Sequence, residues 1–208
     1  CNNKFGYSAD DTLKTVQKLY EQKLVTYPRV DTTFLPDDIY PKVNGILEQL
    51  SDYKALSQPL LGKKIRKSTK VFNDKKVTDH HAIIPTGVQN SLSLHEQKVY
   101  DIIVRRFIAV FYEDCSVDNT AVIGKAVDVT FKTTGKVITE KGWRAVFEIP
   151  GAEEKEPDIL PAFKKGEKGP HEPSFLEKET KPPKMFTEAT LLRAMETAGK
   201  QVDYEELR

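Results

Sequence analysis

The 208 residues carry 32 basic and 31 acidic side chains, so the formal net charge of +1 points to neither a polyanionic nor a polycationic partner. No apolar run approaches the roughly 18 residues of a membrane span. Cys1 and Cys115 are too few for a disulfide framework and form no cysteine zinc site, which predicts a reducing, cytoplasmic setting with no membrane partner.

The length allows one large domain or two smaller ones around a real core. The chain starts at Cys1 rather than Met and stops at residues 203–208, inside a charged segment that reads as helical, so a piece of a longer protein is expected. Ser8-Ala9-Asp10-Asp11 reads as an N-cap with acids in the first turn. It opens a helix over 9–22 with Leu13, Val16, Leu19 and Tyr20 on its apolar stripe.

That helix delivers the chain to Leu24-Val25-Thr26-Tyr27-Pro28-Arg29-Val30-Asp31-Thr32. The β-branched residues and the proline favour an extended run, which would place Tyr27, Arg29 and Asp31 on one face. A tyrosine oxygen can attack a phosphodiester in line, and a planar guanidinium can hold two phosphate oxygens as charge accumulates. The carboxylate would orient the arginine or a proton carrier. With a reference pKa of about 10, a tyrosine needs a nearby cation or base to attack at neutral pH. An ordinary surface ion pair between Arg29 and Asp31, contributing about 0–1 kcal/mol, is the plainer reading of the same spacing.

Further on, Pro36-Asp37-Asp38 opens a second helix with Ile39, Val43, Ile46, Leu47 and Leu50 as its buried stripe, and a shorter third helix is expected over 53–61. From Lys63 to Lys76 seven basic residues stand against one acid. Lys63, Lys64, Arg66, Lys67 and Lys70 form either a phosphate-tracking strip or a solvated loop. The loop Asp79-His80-His81 invites a metal reading, but adjacent histidines on an extended segment point to opposite faces, and His95 and His171 lie at no ligand-like spacing. No metal ligand is therefore assigned. One histidine is instead a candidate phosphate contact or proton carrier.

Ser93-Leu94-His95-Glu96 is a capping box that opens the longest helix, to about residue 112, with Arg105 and Arg106 in its middle. From 115 to 149 alternation replaces the helical period, predicting antiparallel strands with a turn at Thr134-Gly135-Lys136 and a further alternating run at Trp143, Ala145 and Phe147. A linker rich in charge, Pro and Gly follows from Pro150-Gly151, with short extended segments expected at 159–163 and 174–179. Thr187-Glu188-Ala189 caps a helix carrying Leu191, Leu192, Met195 and Ala198, ended by Gly199.

Taken together, Leu19-Tyr20-Glu21 with the Tyr27 stretch, Asp79-His80-His81-Ala82-Ile83-Ile84-Pro85-Thr86, residues 100–107, and Pro182-Pro183 followed by Phe186-Thr187-Glu188-Ala189-Thr190-Leu191-Leu192 resemble a type IA DNA topoisomerase, closest to the topoisomerase III branch. The resemblance implies an α+β fold: a mainly helical gate domain at 1–112, inserted into an antiparallel β-rich arch at 113–182, with the start of a further helical domain at 183–208. It implies that Tyr27 forms a 5′-phosphotyrosine, that Arg29 holds the scissile phosphate, that Asp31 supports the site and that His80 assists proton transfer or binds DNA near the break. His81 and the basic residues Lys63, Lys64, Arg66, Lys67, Lys70, Arg105 and Arg106 are then DNA contacts.

The same resemblance implies single-stranded or underwound DNA as substrate, a helicase or accessory protein as a cellular partner, and a cytoplasmic location, nucleoid-associated in a bacterium. It implies no need for ATP, and Mg²⁺ held by an acidic domain outside this chain, so that the chain alone does not relax DNA. Val30 departs from the family, which often has a small polar residue there. Two other readings stand beside this one. A tyrosine nickase would want a spacer between its histidines, which His80-His81 lacks. A non-catalytic single-strand clamp would use the basic strip, with Tyr27 stacking on a base.

Overall fold

The computed structural model describes residues 1–148, 159–170 and 172–198. They form two compact units, Cys1–Phe111 with residues 183–198, and Tyr112–Pro182. Helices dominate the first and a two-stranded antiparallel sheet the second, giving an α+β protein.

In the first unit a short helix α1 (Asn2–Phe5) precedes α2 (Ala9–Glu21). The Ser8 hydroxyl caps α2 by accepting the Asp11 N–H at 3.0 Å, while Asp10 and Asp11 face the positive end of the helix dipole. Val16 and Leu19 are buried, but Leu13 and Tyr20, expected on the same stripe, are 42% and 38% exposed. The helix ends in a Schellman turn: Lys23 N–H donates to the Tyr20 carbonyl at 2.8 Å and Leu24 N–H to the Leu19 carbonyl at 2.9 Å. Lys23 takes the left-handed conformation, with φ 64°, that this turn demands. The chain thereby reverses and buries Leu24 and Val25 beneath the loop that follows.

The second expected helix divides into a 3₁₀ turn, Asp37–Lys42, and α3 (Val43–Gln49), which together bury Ile39, Val43 and Leu47. The third is shorter than expected. A 3₁₀ turn at Ser51–Tyr53 leads to α4 (Lys54–Ser57), and Pro59, which lacks an N–H, leaves only turns beyond it. α5 (Leu94–Ala109) packs on α2, buries Val99, Val104, Phe107 and Ile108, and opens with the capping box between Ser93 and Glu96. The final helix, α6 (Glu188–Glu196), is capped by Thr187 and leaves Leu191, Leu192 and Met195 exposed. Gly199, expected as its stop, lies outside the described residues, as do the segments at 150–151 and 203–208. Among the described residues no helix is long and apolar enough to cross a membrane.

In the second unit β1 (Ser116–Ala126) pairs with β2 (Val129–Glu140), Thr120 opposite Gly135 and Ala126 opposite Val129. The turn is therefore Val127-Asp128, and Thr134-Gly135-Lys136 lies in mid-strand. Seven β-branched residues between Val129 and Thr139 keep that strand continuous across its one glycine. Trp143 to Phe147 forms a 3₁₀ turn, not a strand, and brings the two rings 6.0 Å apart. Gly142, at φ 48°, permits this turn, since a Cβ there would lie 2.5 Å from the Glu113 and Asp114 carbonyl oxygens. The segments 159–163 and 174–179 are irregular; among the described residues no strand pairs with them, and Pro161 and Pro173 bring no N–H.

Candidate functional site

Two loops that are distant in sequence are tied side by side. Thr26 N–H donates to the Ile84 carbonyl and Ile84 N–H to the Thr26 hydroxyl, both at 3.0 Å, while Thr86 N–H donates to the Leu24 carbonyl at 3.0 Å. Val25 and Pro85 form an antiparallel bridge at the centre of this seam. Further along, Ala82 N–H donates to the Phe34 carbonyl at 2.9 Å and the Thr32 hydroxyl to the Lys76 carbonyl at 2.6 Å. Buried Pro28, Leu35 and Ile84 anchor the seam from below. The backbone at positions 24–34 and 77–86 is thus fixed while the side chains above it stay accessible.

Tyr27 and His80 meet across this seam, their ring centroids 4.5 Å apart and tilted by 42°. Tyr20, from the last turn of α2, meets Tyr27 edge-on at 5.4 Å. The Tyr27 hydroxyl has no hydrogen-bond partner among the described residues. Beside the pair lies an open depression of about 510 Å³ lined by Leu13, Pro28, Arg29, Val30, Asp31, Thr78, Asp79 and His80. Arg29, Asp31 and His80 are all exposed. Thr78 donates a long hydrogen bond of 3.4 Å to the Asp31 carboxylate.

This arrangement differs from the extended run read from the sequence. The segment bends after Pro28, so consecutive residues 28–31 line one depression instead of alternating between faces. Arg29 and Asp31 share that depression, and Tyr27 joins them through His80. The two histidines do diverge. His81 turns away and its Nδ1 lies 2.7 Å from the Ala82 carbonyl, where the Nδ1–H tautomer donates.

Of the basic strip, Lys63, Lys64, Arg66, Lys67 and Lys70 are all exposed. Lys67 pairs with Asp37 at 2.8 Å and lies 5.6 Å from the Tyr40 ring centroid, whereas Lys63, Lys64, Arg66 and Lys70 make no ion pair among the described residues. The strip joins the site loop directly, because Leu35 N–H donates to the Val71 carbonyl and Asn73 N–H to the Leu35 carbonyl. Arg105 is differently placed. Its Nε–H donates to Asp101 at 2.8 Å in a half-buried cluster with Tyr53, whose phenol is pushed well above its ordinary pKa by burial and then by the Asp101 charge. Arg106 is exposed on α5.

Among the described residues no group of three or more His, Cys, Asp or Glu side chains is placed to hold a metal ion. The depression offers two carboxylates, Asp31 and Asp79, beside the Arg29 guanidinium. Sequence reasoning misses Tyr20, Leu13 and Thr78. Helical spacing assigns Tyr20 and Leu13 to the buried stripe of α2, and nothing in the local pattern marks Thr78.

A family model described as DNA topoisomerase matches residues 1–199. The chain is similar to DNA topoisomerase 3 of Bacillus subtilis strain 168, at 39% identity over 216 residues, covering 99% of this chain and 30% of that protein. It is similar to DNA topoisomerase 3 of Bacillus licheniformis at the same identity over 215 residues, again covering 99% of this chain and 30% of the relative. Among solved structures it resembles full-length topoisomerase I from Thermotoga maritima, with a TM-score of 0.62 at 22% identity over 95% of this chain and 33% of that one, a likeness of fold. The chain spans about 30% of the length of these curated relatives. With the family model covering nearly all of it, the chain belongs to the type IA DNA topoisomerases.

Proposed function

We propose that this chain is the tyrosine-bearing part of a topoisomerase that cuts one strand of single-stranded or underwound DNA, passes another strand through the break and reseals it. The observation that carries the reading is the Tyr27–His80 ring contact at the edge of the depression holding Arg29 and Asp31. In this reading the Tyr27 oxygen attacks phosphorus, a P–O(Tyr27) bond forms and the P–O3′ bond breaks. The tyrosine proton goes by way of His80 to the departing 3′ oxygen. Arg29 holds the non-bridging oxygens of the phosphate, and Asp31, steadied by Thr78, orients the guanidinium. Resealing reverses each step, and the phosphotyrosine retains the bond energy, so ATP is not required.

Magnesium, in this proposal, binds carboxylates beyond this chain, and the chain alone does not relax DNA. The first unit serves as the gate and the second as part of the arch. The exposed Lys63, Lys64, Arg66 and Lys70 track the strand on the way to the break. A cytoplasmic location and a helicase or accessory partner belong to the same reading.

The test uses the full-length protein with Mg²⁺ and end-labelled single-stranded DNA, quenched with denaturant. A covalent protein–DNA adduct that disappears in Tyr27→Phe is the expected result. An adduct that persists in Tyr27→Phe removes Tyr27 as nucleophile. Strand binding without any adduct from the active, folded protein favours the clamp reading instead, in which the tyrosine only stacks.

A further inference from the structure

We infer that Tyr20 is a positioning residue for the reaction, holding the Tyr27 phenol in its attacking direction through an edge-on ring contact; this rests on the reading of Tyr27 as the nucleophile. The Tyr27 side chain has few restraints. Its backbone is pinned by the seam to residues 82–86, but its hydroxyl makes no hydrogen bond among the described residues, so the direction of the C–O bond depends on what touches the ring. Two rings do so: His80 at 4.5 Å, tilted by 42°, and Tyr20 at 5.4 Å and 82°.

His80 comes from an exposed loop. Tyr20 comes from a rigid support, because Leu19 beside it is fully buried and its own carbonyl accepts the Lys23 N–H that closes α2. The Schellman turn therefore sets the distance from Tyr20 to Tyr27, and the T-shaped geometry is the one that aromatic quadrupoles favour. Exposure of 38% also separates Tyr20 from the core of the unit, so its ring is not needed to bury that core. In-line displacement tolerates little error, since a misplacement of about 1 Å can cost about 10²-fold in rate. A ring edge that stops the phenol from swinging then acts on the chemical step and not on strand binding.

The experiment compares wild type, Tyr20→Leu, Tyr20→Gln and Tyr20→Phe in the full-length protein with Mg²⁺. Single-turnover adduct formation gives the rate, and fluorescence anisotropy with the same DNA gives the affinity. Leu and Gln both remove the ring, and Gln suits an exposed helix position should Leu fold poorly. The expected result is a rate about tenfold lower in Leu and Gln, affinity within about twofold of wild type, and a Phe variant within about twofold of wild type in both. Wild-type rates in Leu and Gln overturn the inference. So does a Phe variant as slow as Leu, or a loss of affinity that accounts for the loss of rate. A Tyr27→Phe control run alongside keeps the two ideas apart. Adduct persisting in that control sinks the nucleophile reading, whereas adduct lost there but unchanged in the Tyr20 variants sinks only the role given to Tyr20.

Discussion

Thr26 and Ile84 exchange two hydrogen bonds at 3.0 Å, one through backbone groups and one into the threonine hydroxyl, and so tie together the loops that carry Tyr27 and His80. Thr26→Val keeps the shape and removes the acceptor for the Ile84 N–H. Leaving that donor unpaired beside the buried Ile84 is expected to cost about 1–3 kcal/mol. Urea unfolding of the variant checks the magnitude, and faster hydrogen exchange at the Ile84 amide than at the α5 amides checks the location. An unchanged midpoint would show that the seam does not depend on this hydroxyl.

His80 is exposed, so His80→Ala is expected to shift stability by no more than about 0.5 kcal/mol. Adduct formation in the full-length protein, in contrast, is expected to fall by about 10²-fold, the ordinary contribution of a positioned proton carrier. The same assay on His81→Ala should show little change, because that imidazole is turned onto the Ala82 carbonyl. Equal losses in the two variants would contradict the separation of roles.

Salt dependence of strand binding tests the basic strip. If Lys63, Lys64, Arg66 and Lys70 each neutralise one phosphate, replacing any of them by alanine should lower the slope of log affinity against log salt by about 0.7 for single strands. Titrations of the four variants at several salt concentrations measure it. Lys67→Ala should change the slope less, since its ammonium is already paired with Asp37. A slope unaffected by all five substitutions would return the strip to an ordinary solvated loop.

Acid should weaken the start of α5. Hydrogen bonds from the Ser93 side chain and backbone hold the Glu96 carboxyl below its ordinary pKa. A depressed pKa in the folded state means that this stabilisation is present above the ordinary carboxylate range and is lost as pH falls through the folded value. Ser93→Ala is expected to cost about 1 kcal/mol at neutral pH and less near pH 3. Melting curves of both proteins at the two pH values decide it, and a cost independent of pH would show that Glu96 takes no part.

How much of this is visible in the sequence depends on whether the deciding interaction is local. The starts of α2, α5 and α6 are legible because Ser8, Ser93 and Thr187 cap within three residues. Tyr27, Arg29, Asp31 and His80 can be named from chemistry and resemblance, yet the meeting of Tyr27 with His80 depends on the seam between Thr26 and Ile84, which no local pattern encodes. The hairpin turn is misplaced by sequence because Gly135 is the usual turn residue while Val127, β-branched and at φ 53°, is a rare one. Tyr20 is hidden by helical spacing alone, which cannot tell a buried ring from one leaning on a neighbouring loop.

The hydrogen bond from Ala9 N–H to the Glu188 carboxylate, 2.9 Å long, joins the first turn of α2 to the first turn of α6 across 179 positions of sequence. Closing so long a loop is entropically unfavourable, and α6 offers little burial in return, with Leu191, Leu192 and Met195 all exposed. The last helix is thus held to the unit that carries Tyr27 with little apolar burial, the condition under which a segment opens locally at lower free energy than the core it rests on.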